Sequence, residues 1–218
     1  MSNWLDVWQR SEQFFSGLVI TLELSLLALL LALVFGVIAA MMRVVDNPVA
    51  NFVGKWYVEF FQNTPLVIQL FFFYQALPTL GVSLSEYTCG TLGLAIYTGA
   101  YIAEVFRAGI QSIPKGQWEA ARSQGFTYLQ TMNHIILPQA LRVALPPLGN
   151  QVVNLVKNSA ILSTIAVADL MYTANLVSAE TFIIFEVYIF TGIMYLTLTI
   201  PLSALVEYME RRVAQGYN

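Results

Sequence analysis

Five stretches of this chain are apolar over about 20 residues or more, roughly 18–42, 60–80, 91–110, 148–172 and 183–206. About 20 helical residues is what it takes to cross a hydrocarbon core about 30 Å thick. Lipid offers no partner to a backbone N–H or C=O, so each stretch is expected to be a helix. The chain therefore reads as an all-α integral membrane protein with five transmembrane helices. Composition supports this: 57% of its 218 residues are hydrophobic and 11% are charged, where a soluble domain carries about a quarter charged residues. Mean hydropathy is +0.66. No internal repeat or low-complexity segment divides the chain, and residues 1–218 read as one transmembrane domain. The second stretch is the least regular, because Gln62-Asn63-Thr64-Pro65 interrupts it. Pro65 is expected to start the true helix, with residues 52–63 as an amphipathic lead-in.

The basic residues orient the spans. Arg43 and Lys55 flank the first connection, Arg107, Lys115, Arg122 and Arg142 surround a long third one, and Arg211 and Arg212 close the C-terminus. Arg10 falls on the other side and Lys157 within a span. The positive-inside rule makes the basic side cytoplasmic, with the N-terminus outside and the C-terminus inside. Cys89 then falls in an extracytoplasmic connection. Asp6, Arg10 and Glu12 and the long apolar stretch after them do not fit a cleaved leader. Trp4 and Trp8, one helical turn apart, suggest an interfacial helix instead. The net charge of -3 comes with scattered basic residues, so no nucleic-acid partner is expected.

The long connection, 111–147, carries a spaced pattern: Glu119-Ala120-Ala121, three residues, Gly125, nine residues, then Ile135, Leu137 and Pro138. Residues 117–124 suit a helix, Gly125 permits a turn that a Cβ disfavours, and a second helix from Tyr128 is expected to be limited by Pro138. There is no phosphate-binding Gly-x4-Gly-Lys-Ser/Thr, no dinucleotide loop and no nucleophile–base pair. The single cysteine and single His134 exclude an intrachain disulfide and a Cys- or His-cluster metal site. No cofactor is expected on this chain and no catalytic residue is assigned.

Ionisable and amide residues inside a bilayer are functional candidates. Glu104 and Arg107, three apart, can pair on one helix face. Asn150, Asn154 and Asn158 recur every four residues beside Lys157, which lies roughly 14 Å into the fourth span at 1.5 Å per residue. Asp169 is expected on nearly the same face. Such a polar seam needs a water-filled cavity or a partner helix. The candidate path residues are therefore Lys157, Asn158, Asn154, Ser159, Asp169 and Thr64. Glu104 joins them, as does Glu23, which could form an acidic outer mouth with Asp169 and Glu186. Gly36/Ala40 and Gly99/Ala103 are small-residue pairs suited to close helix packing.

The 119–138 pattern resembles the cytoplasmic coupling loop of permease subunits of bacterial ABC importers. The stretches Gln62–Leu66, Tyr101–Ile110 and Leu155–Ala160 are similar to signatures of the polar amino acid permeases in that superfamily. The resemblance covers nearly residues 16–213. It implies a five-helix type I importer fold in the bacterial inner membrane. Two ATPase subunits carrying ATP and Mg would dock on Glu119, Ala120, Ala121, Gly125, Ile135, Leu137 and Pro138. A second permease subunit, identical or homologous, would complete the path, and an extracytoplasmic binding protein would deliver the amino acid. Glutamate or glutamine is favoured, with basic amino acids second and Lys157 as partner to the substrate carboxylate. Glu23 departs from the family pattern. An ion-coupled carrier would leave the coupling pattern unexplained and usually shows inverted repeats; a non-transporting scaffold is the third class.

Overall fold

The structure, a computed structural model, describes residues 2–215. It consists of helices α1 (Ser2–Gln9), α2 (Ser11–Val44), α3 (Pro48–Asn63), α4 (Leu66–Thr79), α5 (Glu86–Gln111), α6 (Lys115–Ser123), α7 (Tyr128–Ile165), α8 (Leu170–Thr181) and α9 (Phe185–Gln215). No strand occurs among the described residues. By length and apolarity α2, α5 and α9 can each cross a membrane, α7 and α8 form a pair bent by 47°, and α4 is shorter.

The centre is the pairing of α2 with α5. It is close because small residues meet: a methyl group placed on Gly36 would lie 3.1 Å from the Gly99 carbonyl oxygen and 2.8 Å from Ile102 Cβ. Without a hydrophobic drive between helices in lipid, such close approach and the dispersion contacts it permits are what hold helices together. Ala28, Ala32, Ala39 and Ala40 continue the same buried stripe on α2. Leu24, Leu66, Leu70, Leu94, Leu155 and Leu162 then join α2, α4, α5 and α7 in one core.

Several expectations need correction. The second apolar stretch divides at Thr64 and Pro65 as expected, but its lead-in helix is longer than residues 52–63. α3 already begins at Pro48, capped by the Asn47 side chain, which accepts from the Val49 and Ala50 N–H groups. The chain is extended at Thr64 and Pro65 before α4 starts, because a residue ahead of proline is pushed out of the helical region. Pro138 does not limit the helix that starts at Tyr128. That helix widens into a π-turn over Met132–Ile136 and runs on through Leu137–Asn158. Pro138 has no N–H to give and its ring would crowd the carbonyl four residues back. The wider turn relieves both, with the Leu137 N–H bonding to the Met132 carbonyl five residues back. α4 repeats the device, a π-turn over Phe72–Ala76 placed two residues before Pro78. The fourth stretch, 148–172, is broken too. α7 ends in 3-10 turns over Ser159–Ile165, and Ala166 adopts a left-handed conformation at φ 61°. Cys89 lies inside α5, fully buried, rather than in a connection.

Candidate functional site

The polar face of α7 meets α5 at a cavity of about 170 Å³ lined by Tyr97, Thr98, Tyr101, Gln151, Asn154, Leu155 and Asn158. The α7 residues fall on one face because 151, 154, 155 and 158 are separated by three or four positions; 97, 98 and 101 do the same on α5. The Tyr97 and Tyr101 hydroxyls are 3.2 Å apart and hydrogen-bonded, either one able to donate. Two bonds to the backbone fix this part of α5: Tyr57 donates to the Ile96 carbonyl at 2.7 Å and Gln62 to the Ala100 carbonyl at 3.2 Å. Every lining group is uncharged. Gln151 also lines a more open groove with Val143, Pro146, Pro147, Asn150 and Glu210, so one side chain stands between the two spaces.

Of the candidates read from the sequence, the structure brings only Asn154 and Asn158 to this cavity. Lys157 is exposed, is not part of the lining and makes no ion pair among the described residues. Its expected depth assumed a helix beginning near 148, whereas the helical segment holding it starts at Leu137 and ends at Asn158. Ser159 is buried and donates to the Val156 carbonyl at 2.8 Å. Thr64 ends α3, donating to the Phe60 carbonyl at 2.7 Å, and lines an apolar cavity with Phe60, Phe61, Ile68, Gln69, Phe72 and Phe73. Glu104 is bound by Arg107 on its own helix and by Arg43 on α2, which makes it a tie between helices.

Asp169 is not on the Asn158 face, because the chain breaks between them. It is wholly buried and caps α8, its Oδ1 accepting from the Tyr172 N–H at 2.8 Å. Nor do Glu23, Asp169 and Glu186 form an acidic mouth: Glu23 is exposed on α2, and Glu186 accepts from Asn3 at 3.2 Å at the start of α9.

The loop residues are arranged differently. α6 ends in a turn closed by the Gly125 N–H to the Arg122 carbonyl at 3.0 Å and the Phe126 N–H to the Ala121 carbonyl at 3.1 Å. Gly125 has φ 82°, the left-handed conformation this closing motif requires. Thr127 and Gln130 then form a reciprocal cap for the next helix. Trp118 stacks on Tyr128 with centroids 5.8 Å apart, so α6 is folded back on the start of α7. Glu119 and Ala120 are exposed while Ala121 is buried; Pro138 is exposed, and Ile135 and Leu137 are half-buried. Ile113, Ile136 and Ala140, with Ile110, Trp118, Met132 and Ile135 against them, root this element in α5, through Ile110, and in α7.

Sequence reasoning missed Gln151, Tyr97, Thr98, Tyr101 and Leu155. The Asn150/Asn154/Asn158 period already pointed at Gln151, three residues ahead of Asn154 and seven ahead of Asn158. Nothing in the sequence paired that face with α5. Arg43 was missed as a partner of Glu104 because 61 positions separate them.

Helices long and apolar enough to cross a membrane, a polar cavity between α5 and α7 and a helix–turn–helix folded back beside them define an integral membrane protein with a polar site among its helices. The chain belongs to the family of binding-protein-dependent transport system inner membrane components, whose model matches residues 32–215. It is similar to the probable glutamine ABC transporter permease protein GlnM of Bacillus subtilis, 52% identical over 211 residues, 97% of this chain and 98% of that one. The probable amino-acid ABC transporter permease protein YckA of the same organism is 33% identical over 91% of this chain and 88% of its own length. The structure matches an amino acid ABC transporter crystallised with histidines, with a TM-score of 0.91 and 38% identity over 96% of this chain and 98% of that one. The MetNI methionine transporter in its inward-facing form shares the fold, with a TM-score of 0.73 at 18% identity over 92% and 98%. The protein is therefore a multi-pass inner-membrane permease of type I fold and not itself an enzyme; ATP is hydrolysed by a separate subunit.

Proposed function

We propose that this permease imports a neutral polar amino acid, glutamine in the first place, by alternating access. The observation that carries this is the uncharged lining of the α5–α7 cavity. Gln151, Asn154, Asn158, Thr98, Tyr97 and Tyr101 offer both donors and acceptors, which match a side-chain amide. Every amino acid brings an α-ammonium and an α-carboxylate that can offset each other; a glutamate or lysine side chain would add a net charge with no countercharge in the lining, which is costly where water is excluded. The volume of about 170 Å³ lies below the roughly 300–1,000 Å³ of pockets for drug-sized ligands, which suits an amino acid. The name of the Bacillus subtilis relative agrees with this reading.

Asn150, Asn154 and Lys157 are exposed on one face of α7. In a membrane that face must be covered, and a second permease subunit, identical or homologous, is the cover that would also complete the path. Two ATPases carrying ATP and Mg would dock on Glu119–Ala121, Gly125, Ile135, Leu137 and Pro138 from the cytoplasmic side. An extracytoplasmic binding protein would load the path from the other. With five spans, the positive-inside rule applied to the basic residues would put the N-terminus outside. Uptake of labelled glutamine into proteoliposomes holding the complete transporter, in the presence of competing amino acids, tests the substrate. Glutamine and asparagine should compete, while arginine and lysine should not. Uptake inhibited better by arginine or glutamate than by glutamine would sink this assignment.

A further inference from the structure

Building on the import of a polar amino acid proposed above, we infer that the open groove between α7 and α9 is a second binding subsite, which takes the α-ammonium group of the amino acid as it leaves the α5–α7 cavity. The groove measures about 500 Å³, against about 170 Å³ for the cavity. It lies along the part of α7 nearer the 119–138 loop, the side on which the ATPases would dock. Gln151 lines both spaces. Positions 143, 147, 150, 151, 154 and 158 recur every three or four residues, so one face of α7 leads from the cavity into the groove. From Asn158 to Asn150 that path is about 12 Å long at 1.5 Å per residue. The side chains of Asn150, Gln151, Asn154 and Asn158 make no hydrogen bond among the described residues. All four amides are open to a ligand.

Glu210, exposed on α9, is the one ionisable residue in the groove lining. The cations beside it in the chain are committed elsewhere. Arg211 pairs with Glu207, and Arg212 donates to the Tyr208 hydroxyl at 2.9 Å and lies over that ring. Glu210 has no ion pair or hydrogen bond among the described residues. Across from it α7 contributes acceptors that an ordinary helix would have used up. Pro146 and Pro147 stand inside the helix without an N–H, so the Arg142 and Val143 carbonyls lose the donor four residues ahead. Val143, Pro146 and Pro147 all line the groove. The two helices are held together beside it, where a methyl group on Gly149 would lie 2.6 Å from Val206 Cγ2 and 3.2 Å from Met209 Cε.

A carboxylate and unspent carbonyls can only accept, and an ammonium group can only donate. Asn150 and Gln151 can donate to the α-carboxylate of the same molecule, while Val143, Val213 and the proline rings offer its side chain an apolar wall. A bare metal ion would use the oxygens but neither the amide N–H groups nor the apolar wall. The groove thus recognises the part common to all amino acids, where the cavity recognises a side chain.

Equilibrium binding of labelled glutamine to the complete transporter in nanodiscs, without nucleotide or binding protein, tests the subsite. The wild type should show two classes of site. Glu210→Gln, an exposed replacement that should leave assembly intact, should weaken one class by about fivefold or more, and Asn158→Asp should weaken the other. In the wild type, 4-carbamoylbutanoate, which is glutamine without its α-ammonium, should not displace the glutamine whose binding depends on Glu210. A Glu210→Gln isotherm that superimposes on the wild type would overturn the subsite, as would displacement of that glutamine by 4-carbamoylbutanoate. A shift from Glu210→Gln with none from Asn158→Asp would uphold the groove and count against the cavity as the substrate site. A shift from Asn158→Asp alone would do the reverse.

Discussion

Replacing Asn158 with aspartate would change little about the cavity except its charge. Shape and reach are nearly conserved, while a carboxylate would face the Tyr97 and Tyr101 hydroxyls with no basic group in the lining. Neutral glutamine should then bind less well and cationic amino acids better. We expect Asn158→Asp to raise the glutamine concentration for half-maximal uptake by about tenfold or more, equivalent to roughly 1.4 kcal/mol, and to admit arginine as a competitor. Measured kinetics unchanged from wild type would show that Asn158 does not meet the substrate. Lys157→Met is the contrasting case. Lys157 is exposed and outside the cavity, so uptake kinetics should stay within about twofold of wild type, a few tenths of a kcal/mol. At this scale the sequence was half legible. The asparagine period announced a polar face, but Lys157 was picked out by its depth in the span, and that depth depended on where the helix began.

Single turns decide how the helices behave as units. Gly125 holds φ 82° at the end of α6, and a β-branched residue there would cost roughly 1–2 kcal/mol. Gly125→Val should leave the protein in the membrane at normal level but loosen the fold-back of α6 onto Tyr128. Co-purification of the ATPase and substrate-stimulated hydrolysis should both fall; normal values for both would remove the loop from coupling. Pro138→Ala restores the missing N–H and removes the ring, and with them the reason for the π-turn at Met132–Ile136. Relaxation to an α-turn would swing residues 128–136 around the helix axis by roughly a residue's angle of 100°, taking Ile136 out of its buried contact with Ile113 and Ala140. ATPase stimulation should drop while assembly of the permease persists, and a full response would argue that the widened turn is incidental. The sequence displayed both prolines and the glycine. It did not show that Pro138 is absorbed rather than terminal, because that depends on continuous packing of α7 against α5.

The whole molecule is held by small-residue contacts between α2 and α5 and by the Arg43–Glu104–Arg107 tie where the two helices run side by side. The long apolar stretches and the spaced loop were legible from the start, since lipid thickness and turn chemistry both act on local sequence. The break between Ile165 and Leu170 was not, because no proline or glycine marks it: Ala166 takes the left-handed conformation instead. Glu104→Gln would leave two cations facing a neutral amide and should loosen α2 from α5, seen as a lower melting temperature of the purified complex. The central claim, that a separate ATPase drives a neutral polar amino acid through this permease, meets its most direct test in proteoliposomes containing the complete transporter and its binding protein. With ATP on the ATPase side, labelled glutamine should accumulate against its gradient; with ADP, or with a hydrolysis-deficient ATPase, it should not. Accumulation that persists without ATP under an imposed ion gradient would contradict the account.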